Sequence, residues 1–225
     1  MSSVYNKNYI NITYKDNKSN YPAKFCYFMF KEYNLNNKIL DLGCGNGDFT
    51  EEIEKLGFNV IGADINPPKG KKYITMDIQH EIYPFNDNTF DIIFSKSVIE
   101  HLRNPEKMVD EVYRILKPGG IFICMTPSWK HSYREQFYID HTHYTPFTRY
   151  SLKTICELSG FKSKCEYFYQ LPVLWKYKFL KPLIKLISIF PIPYKPFSDF
   201  PWPDNINKLL RFSKEVMLLA KVKKI

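Results

Sequence analysis

Apolar positions follow two rhythms along this chain. Short continuous apolar blocks recur at 38–42 (KILDL), 59–63, 72–76, 91–95 (DIIFS) and 121–125 (IFICM). Blocks of that length, bounded by turn residues, read as strands covered on both faces, the habit of parallel sheets. Between them the apolar residues return every three or four positions. Phe49, Ile53 and Leu56 share one face of a helix starting at 48 and stopped by Gly57. Asn104 as N-cap and Pro105 in the first turn predict a helix over 105–116, with Pro118-Gly119-Gly120 as the turn out of it. Thr148 is placed to cap another helix running to 159, closed by Gly160. Segments 161–169 and 215–222 read as a sixth and a seventh strand. Strands alternating with helices predict an α/β fold built on a doubly wound parallel sheet. Residues 171–212 break the alternation with seven prolines and read as a lid inserted before the last strand.

The 225 residues suit a single domain: an N-terminal cap segment (1–37), a core (38–170), the lid (171–212) and a last strand (213–225). Hydrophobic residues make up 44% of the chain and aromatics 17%, enough to bury a core and to exclude wholesale disorder. The five cysteines are scattered, without CxxC or Cys/His ligand spacing, which supports neither a disulfide framework nor a structural zinc site. The N-terminus carries no apolar leader, and no apolar run reaches the ~18 residues of a membrane span. A cytoplasmic protein is the expectation. Charge adds a second layer. Residues 1–170 hold 21 basic and 20 acidic side chains, whereas 171–225 hold 11 basic and 3 acidic, so nearly all of the net charge of +9 is C-terminal. There it is interleaved with Trp175, Tyr177, Phe179, Phe190, Tyr194, Phe197, Phe200 and Trp202. Basic plus aromatic suits an anionic bilayer, an acidic substrate or a nucleic acid.

The chemistry concentrates in ILDLGCGNG (39–47), between a strand and a helix. Gly43, Gly45 and Gly47 let the backbone turn and approach a ligand without a Cβ in the way. A dinucleotide fingerprint would place its third glycine at 48, but Asp48 stands there and would oppose a pyrophosphate; no Gly-Lys-Ser/Thr follows, so a phosphate-binding loop is absent too. The loop is thus built for a nucleoside without a phosphate bridge. Asp64 ends the second strand, 23 residues after Asp41, where a carboxylate can accept from both ribose hydroxyls. Asp77 and Ile78 follow the third strand, placed for an adenine amine and its ring face.

These stretches, with GADI, PFNDNTFDIIFSKSVIEHL, EVYRILKPGGIFICMTP and DHTHYTPFTRYSLKTICELSGF, resemble class I S-adenosylmethionine-dependent methyltransferases, most closely the broad type 11 small-molecule group. The resemblance covers over half the chain. It implies a Rossmann-like seven-stranded sheet with its last strand antiparallel, and S-adenosyl-L-methionine as cofactor. It also implies that the loop Gly43, Cys44, Gly45, Asn46 and Gly47 holds the methionine part, with Asp41 supporting the loop and reaching the amino group. Asp64 with Ile65 would take the ribose, Asp77-Ile78 the adenine, and Ser95 would face the methionine carboxylate or the acceptor. No NPPY-type tetrapeptide follows the fourth strand, where Ser95-Lys96-Ser97-Val98 stands, and this argues against an exocyclic base amine as acceptor and so against DNA adenine methylation.

Methyl transfer to an alcohol needs a base as well as positioning. Segment 127–146 supplies Asp140-His141-Thr142-His143, and His141 or His143, oriented by Asp140, is the first candidate base; His101, beside Glu100, is the second. The i, i+2 spacing of His141 and His143 offers no third metal ligand, so no metal is expected. His80 and Glu81 read as loop residues. Arg134, Arg149 and the Lys-rich lid point to an acidic acceptor. The expected reaction is O-methylation of a small molecule, such as a sugar or phosphate-type group of a surface-glycan or lipid-linked intermediate, with peripheral membrane contact through 171–203. RNA or DNA methylation and carbon methylation of a quinone-like lipid are the alternatives.

Overall fold

The computed structural model describes residues 20–79, 82–133, 137–190, 192–194, 201 and 203–225. Residues 1–19, His80, Glu81, Arg134, Lys195, Phe197, Phe200 and Trp202 lie outside the described residues.

Eight strands form one sheet in the order β3-β2-β1-β4-β5-β8-β6, with β7 also paired to β8. They are β1 (Lys38–Leu42), β2 (Asn59–Asp64), β3 (Tyr73–Thr75), β4 (Phe90–Lys96), β5 (Leu116–Pro127), β6 (Phe161–Lys162), β7 (Cys165–Phe168) and β8 (Met217–Lys224). The pairings among β1 to β5 are parallel, and β8 runs antiparallel to β5, β6 and β7. The helices are α1 (Tyr21–Phe30), α2 (Asp48–Lys55), α3 (Pro105–Ile115), α4 (Trp129–Ser132), α5 (Arg149–Leu158), α6 (Pro172–Lys176), α7 (Lys181–Ile189) and α8 (Asp204–Lys214). This is the expected Rossmann-like α/β architecture.

Strand periodicity divides the core into two. Ile39, Ile92, Phe94, Ile123 and Met125 face α1 and α2, where Phe25, Met29, Phe30 and Ile53 cover them. Leu40, Leu42, Ile93, Phe122 and Cys124 face α3 and α5, covered by Met108, Val112, Leu152 and Cys156. Two-residue alternation on each strand sends neighbours to opposite layers. The caps behave as read: Asn104 Oδ1 accepts from the Lys107 amide (3.3 Å), and Thr148 exchanges hydrogen bonds with Ser151 in a capping box. All five cysteines are buried and unbridged.

Three boundaries differ from the sequence reading. Pro118-Gly119-Gly120 is not a connection between helix and strand. Leu116 already pairs with Phe90, the register shifts, and Ile121 pairs with Ile92, so the tripeptide bulges within β5 and Lys117 reaches back to Asp91 (2.9 Å). The sixth strand is two, β6 and β7, each paired with β8. The last strand starts at Met217, because α8 continues to Lys214. Within the N-terminal segment, helix α1 starts at Tyr21 and buries Phe25, Cys26 and Phe30 fully within the first core layer.

Among its described residues the lid forms helices, and Pro172 and Pro182 sit in first helical turns, where no amide donor is missed. Leu171, Leu174 and Ile184 give it a small core of its own. Trp175 anchors it, stacked on Phe28 (5.0 Å between ring centres) and packed against Phe168 (5.6 Å). No helix among the described residues is long and apolar enough to cross a membrane.

Candidate active site

The parallel strands end their carboxyl sides in one cleft, where α/β sheets bind ligands. Its floor is the glycine loop between β1 and α2. Gly43, Gly45 and Gly47 all have positive φ (81°, 52° and 81°). A Cβ at Gly43 would lie 2.2 Å from Val98 Cγ2, and one at Gly47 would lie 2.3 Å from the Tyr73 hydroxyl. A Cβ at Gly45 would meet nothing within 4 Å. Packing therefore demands the outer glycines, and only Gly45 turns its bare face to open space. Asp64 braces this turn: its Oδ2 accepts from the Gly45 amide (3.0 Å), its Oδ1 from the Asn66 amide (3.1 Å). Asp41 lies beneath, buried, accepting from Thr50 Oγ (2.6 Å) at the start of α2, and burial pushes its pKa up to about 7. That places it as a support of the loop rather than as a group exposed to the cleft. Cys44 is buried and burial raises its thiol well above the ordinary range, while Asn46 is exposed. Asp77 accepts from the Gln79 amide (2.9 Å), Ile78 is buried, and Ile65 is half-buried beside Asp64.

Two buried hydroxyls at the cleft lack any partner: Ser95 Oγ at the end of β4 and Tyr73 Oη, packed against Gly47 and Gly62. Such groups are costly unless a ligand completes them. Open space over Gly45, a carboxylate at the end of β2 and unpartnered hydroxyls at the start of β3 and the end of β4 suit a nucleoside with a polar amino-acid tail. Tyr73 escaped the sequence reading, because nothing in YIT marks a hydroxyl for which Gly47 leaves room or a ring for which Gly62 does.

Beyond β4 the backbone turns through Ser97 (φ 58°), a conformation that side chains seldom adopt and that clusters at functional sites. The turn delivers Glu100 and His101 against His143, whose ring centre lies 4.5 Å from that of His101. His143 Nδ1 lies 2.6 Å from the Phe137 carbonyl, which can only accept; Nδ1 therefore carries the proton and Nε2 the lone pair. Thr142 Oγ donates to Asp140 (2.5 Å) and lies 2.9 Å from His101 Nδ1, setting the same tautomer there. Asp140 thus orients His101 through Thr142, and lies 3.9 Å from His143 Nε2. Burial holds both imidazoles neutral, with His101 lowered to about 4. Glu100 is fully buried: Oε2 accepts from Thr126 Oγ (2.9 Å), Oε1 has no partner, and burial raises its pKa to about 7. Ligand atoms of Glu100, His101 and His143 lie within 4.8 Å of one another, a spacing that admits a cation and that sequence spacing did not show. His141 is exposed, and Arg149 lies over the Tyr150 and Tyr167 rings.

A family model of the methyltransferase domain matches residues 14–165. The chain belongs to that family. It is a class I methyltransferase whose cofactor is S-adenosyl-L-methionine. The methyltransferase is 34% identical over 100 residues to a ubiquinone biosynthesis O-methyltransferase of Cereibacter sphaeroides, a match covering 40% of each chain. It is 39% identical over 99 residues to a ubiquinone/menaquinone biosynthesis C-methyltransferase of Zymomonas mobilis, covering 39% of this chain and 41% of that one. The matches thus span about two fifths of these relatives' length. An S-adenosylmethionine-dependent methyltransferase of Archaeoglobus fulgidus shares the fold, with a TM-score of 0.63, 24% identity, and coverage of 92% of this chain and 95% of that one.

Proposed function

We propose that this methyltransferase O-methylates a small amphipathic acceptor and that the His101–His143 pair supplies the base. The bound cofactor offers an electrophilic methyl on a sulfonium; all else falls to the chain's own residues. The observation that carries the reading is the convergence of two neutral imidazoles, both with Nδ1 engaged, beside the unpartnered Glu100 oxygen at the exit of β4. An acceptor hydroxyl entering there meets an Nε2 lone pair that takes its proton, while Glu100 orients it. A general base of this kind contributes about 10²–10⁴-fold.

Two acceptor types satisfy that chemistry: a lipid-linked or glycan-type hydroxyl, favoured by the basic lid, and a quinone-like ring hydroxyl, favoured by the relative from Cereibacter sphaeroides. Carbon methylation of a quinone-like ring is a second reading, supported by the Zymomonas mobilis relative, and there the same base takes a proton from carbon. The lid supports an amphipathic acceptor drawn from an anionic bilayer, since Phe179, Leu183, Leu186 and Ile189 are exposed among Lys178, Lys181 and Lys185. The test is S-adenosylhomocysteine release with ring hydroxyls, lipid-linked sugars and RNA as acceptors, followed by NMR of the product. Methyl on oxygen of either small-molecule class is expected; turnover on RNA alone, or methyl on carbon, would refute the O-methylation reading.

A further inference from the structure

Lys96 is the last residue of β4, and the mechanism above does not use it. Its side chain is half-buried at the carboxyl edge of the sheet, and the loss of solvent depresses its pKa. Among the described residues it makes neither an ion pair nor a hydrogen bond; its recorded contact is the Phe49 ring at 5.5 Å, at the start of α2 just past Gly47. Glu100 and Glu215 favour its charge from beyond ion-pair reach. Desolvating an ammonium without a partner is unfavourable, and a Met or Leu at this place would fill the same volume without that cost.

Lys96 lines a cavity of about 220 Å³ together with Ser97, Ser132, Gln170, Arg211 and Glu215, closed by apolar side chains that include Ile139 and Met217. Arg211 gives only its Nε to Glu215 (2.9 Å to each oxygen), so among the described residues its terminal nitrogens make no bond. The charged lining is thus two cations to one carboxylate. Its walls come from the ends of β4 and β5, the start of β8 and the lid helix α8, and Val98, two residues past Lys96, touches Gly43. The lid thus borders the cavity on one side, and on the other Lys96 connects it to Phe49, just past the glycine loop. A dry cavity of about 150 Å³ holds benzene, so this one has room for a six-membered ring carrying an acidic group.

We propose that this cavity is a subsite for an anionic group, a carboxylate or phosphate, carried by the methyl acceptor, and that Lys96 pairs with it. The proposal rests on the cleft being the acceptor site of a methyltransferase, and it narrows the acceptor to an acid. The other anion in reach is the cofactor's own carboxylate, and the experiment separates the two sources.

The probes are benzoate and phenyl phosphate, with benzyl alcohol as the neutral match, at constant ionic strength on the full chain saturated with S-adenosylhomocysteine. Melting temperature and calorimetric affinity are read for wild type, Lys96→Met and Lys96→Arg. The expected results are that the aryl anions bind wild type and the alcohol does not, and that Lys96→Met weakens them at least tenfold. Lys96→Arg retains part of that binding. Lys96→Met alone, without ligands, melts at or above wild type, which a merely structural lysine would not give. S-adenosylhomocysteine affinity stays within twofold. Equal anion binding by wild type and Lys96→Met, or none by wild type, overturns the proposal. So does a tenfold loss of S-adenosylhomocysteine with unchanged binding of 5′-methylthioadenosine, which lacks the carboxylate, since the lysine would then serve the cofactor. Absence of any S-adenosylhomocysteine binding in wild type removes the cleft itself, and the subsite with it; normal binding with failed turnover of hydroxyl acceptors touches only the O-methylation reading.

Discussion

Adding one methyl group at Gly43 or at Gly45 separates the two reasons for the glycine loop. At Gly43 the new Cβ needs φ near 81° and stands 2.2 Å from Val98 Cγ2. The left-handed backbone costs about 1–2 kcal/mol and the overlap about 1–3 kcal/mol, so Gly43→Ala should lose about 2–5 kcal/mol. For a chain of this size that lowers the melting temperature by on the order of 10 °C. At Gly45, φ is 52° and the added methyl meets nothing within 4 Å. Gly45→Ala should therefore lose only the backbone part, about 1–2 kcal/mol. Its methyl enters the space left to the cofactor, and an overlap of about 1–3 kcal/mol there weakens S-adenosylhomocysteine about 5–150-fold. Scanning calorimetry gives the stabilities, and titration calorimetry gives the affinities. A double-mutant cycle of Gly43→Ala with Val98→Ala should return a coupling of about 1–3 kcal/mol, because removing Val98 Cγ2 relieves the overlap but not the backbone. A Gly45→Ala protein that binds S-adenosylhomocysteine like wild type, or that is less stable than Gly43→Ala, would refute the reasoning.

Replacing His143 or His101 by Ala should lower kcat about 10²–10⁴-fold with S-adenosylhomocysteine affinity unchanged, and Thr142→Val should lower it less, by releasing His101; a chelator should leave wild-type turnover intact, and its loss would turn the trio from base to metal site. Stability of the ligand-free protein should be lower at pH 8 than at pH 6. Asp41 and Glu100, raised by burial to about 7, bind protons more tightly folded than unfolded, so the stability they contribute at low pH is lost as pH rises from the ordinary carboxylate range through about 7. His101 and His131, both lowered to about 4, withdraw stability as pH falls below about 6.5. A melting temperature that climbs steadily from pH 6 to 8.5 would contradict this. Full-length protein should float with vesicles containing phosphatidylglycerol and not with phosphatidylcholine alone, and Phe179→Ser with Ile189→Ser should abolish flotation at unchanged melting temperature. Equal flotation of the variant would remove the lid from that role.

The elements that local rules govern were legible in the chain itself. KILDL before a glycine turn, the Asn104-Pro105 start of α3 and the Thr148 cap are signals spanning a few residues, and each appears in place. The same locality made the glycine loop readable, since a backbone with positive φ is most readily written in glycine. What was misjudged depends on partners far along the chain. Leu116 extends β5 because Phe90 lies opposite, and β8 divides 161–168 into two strands through its own register. Prolines in the lid looked like breaks because their place in a first helical turn depends on where each helix begins. The proposed base shows the division most sharply. His143 of the Asp140-His141-Thr142-His143 segment lies beside His101, 42 residues earlier in the chain, and only a turn strained at Ser97 brings the two rings together. Lys96 carries no mark in the sequence at all: its interest comes from standing half-buried on a cavity where, among the described residues, it forms no ion pair, and both are properties of the folded chain alone.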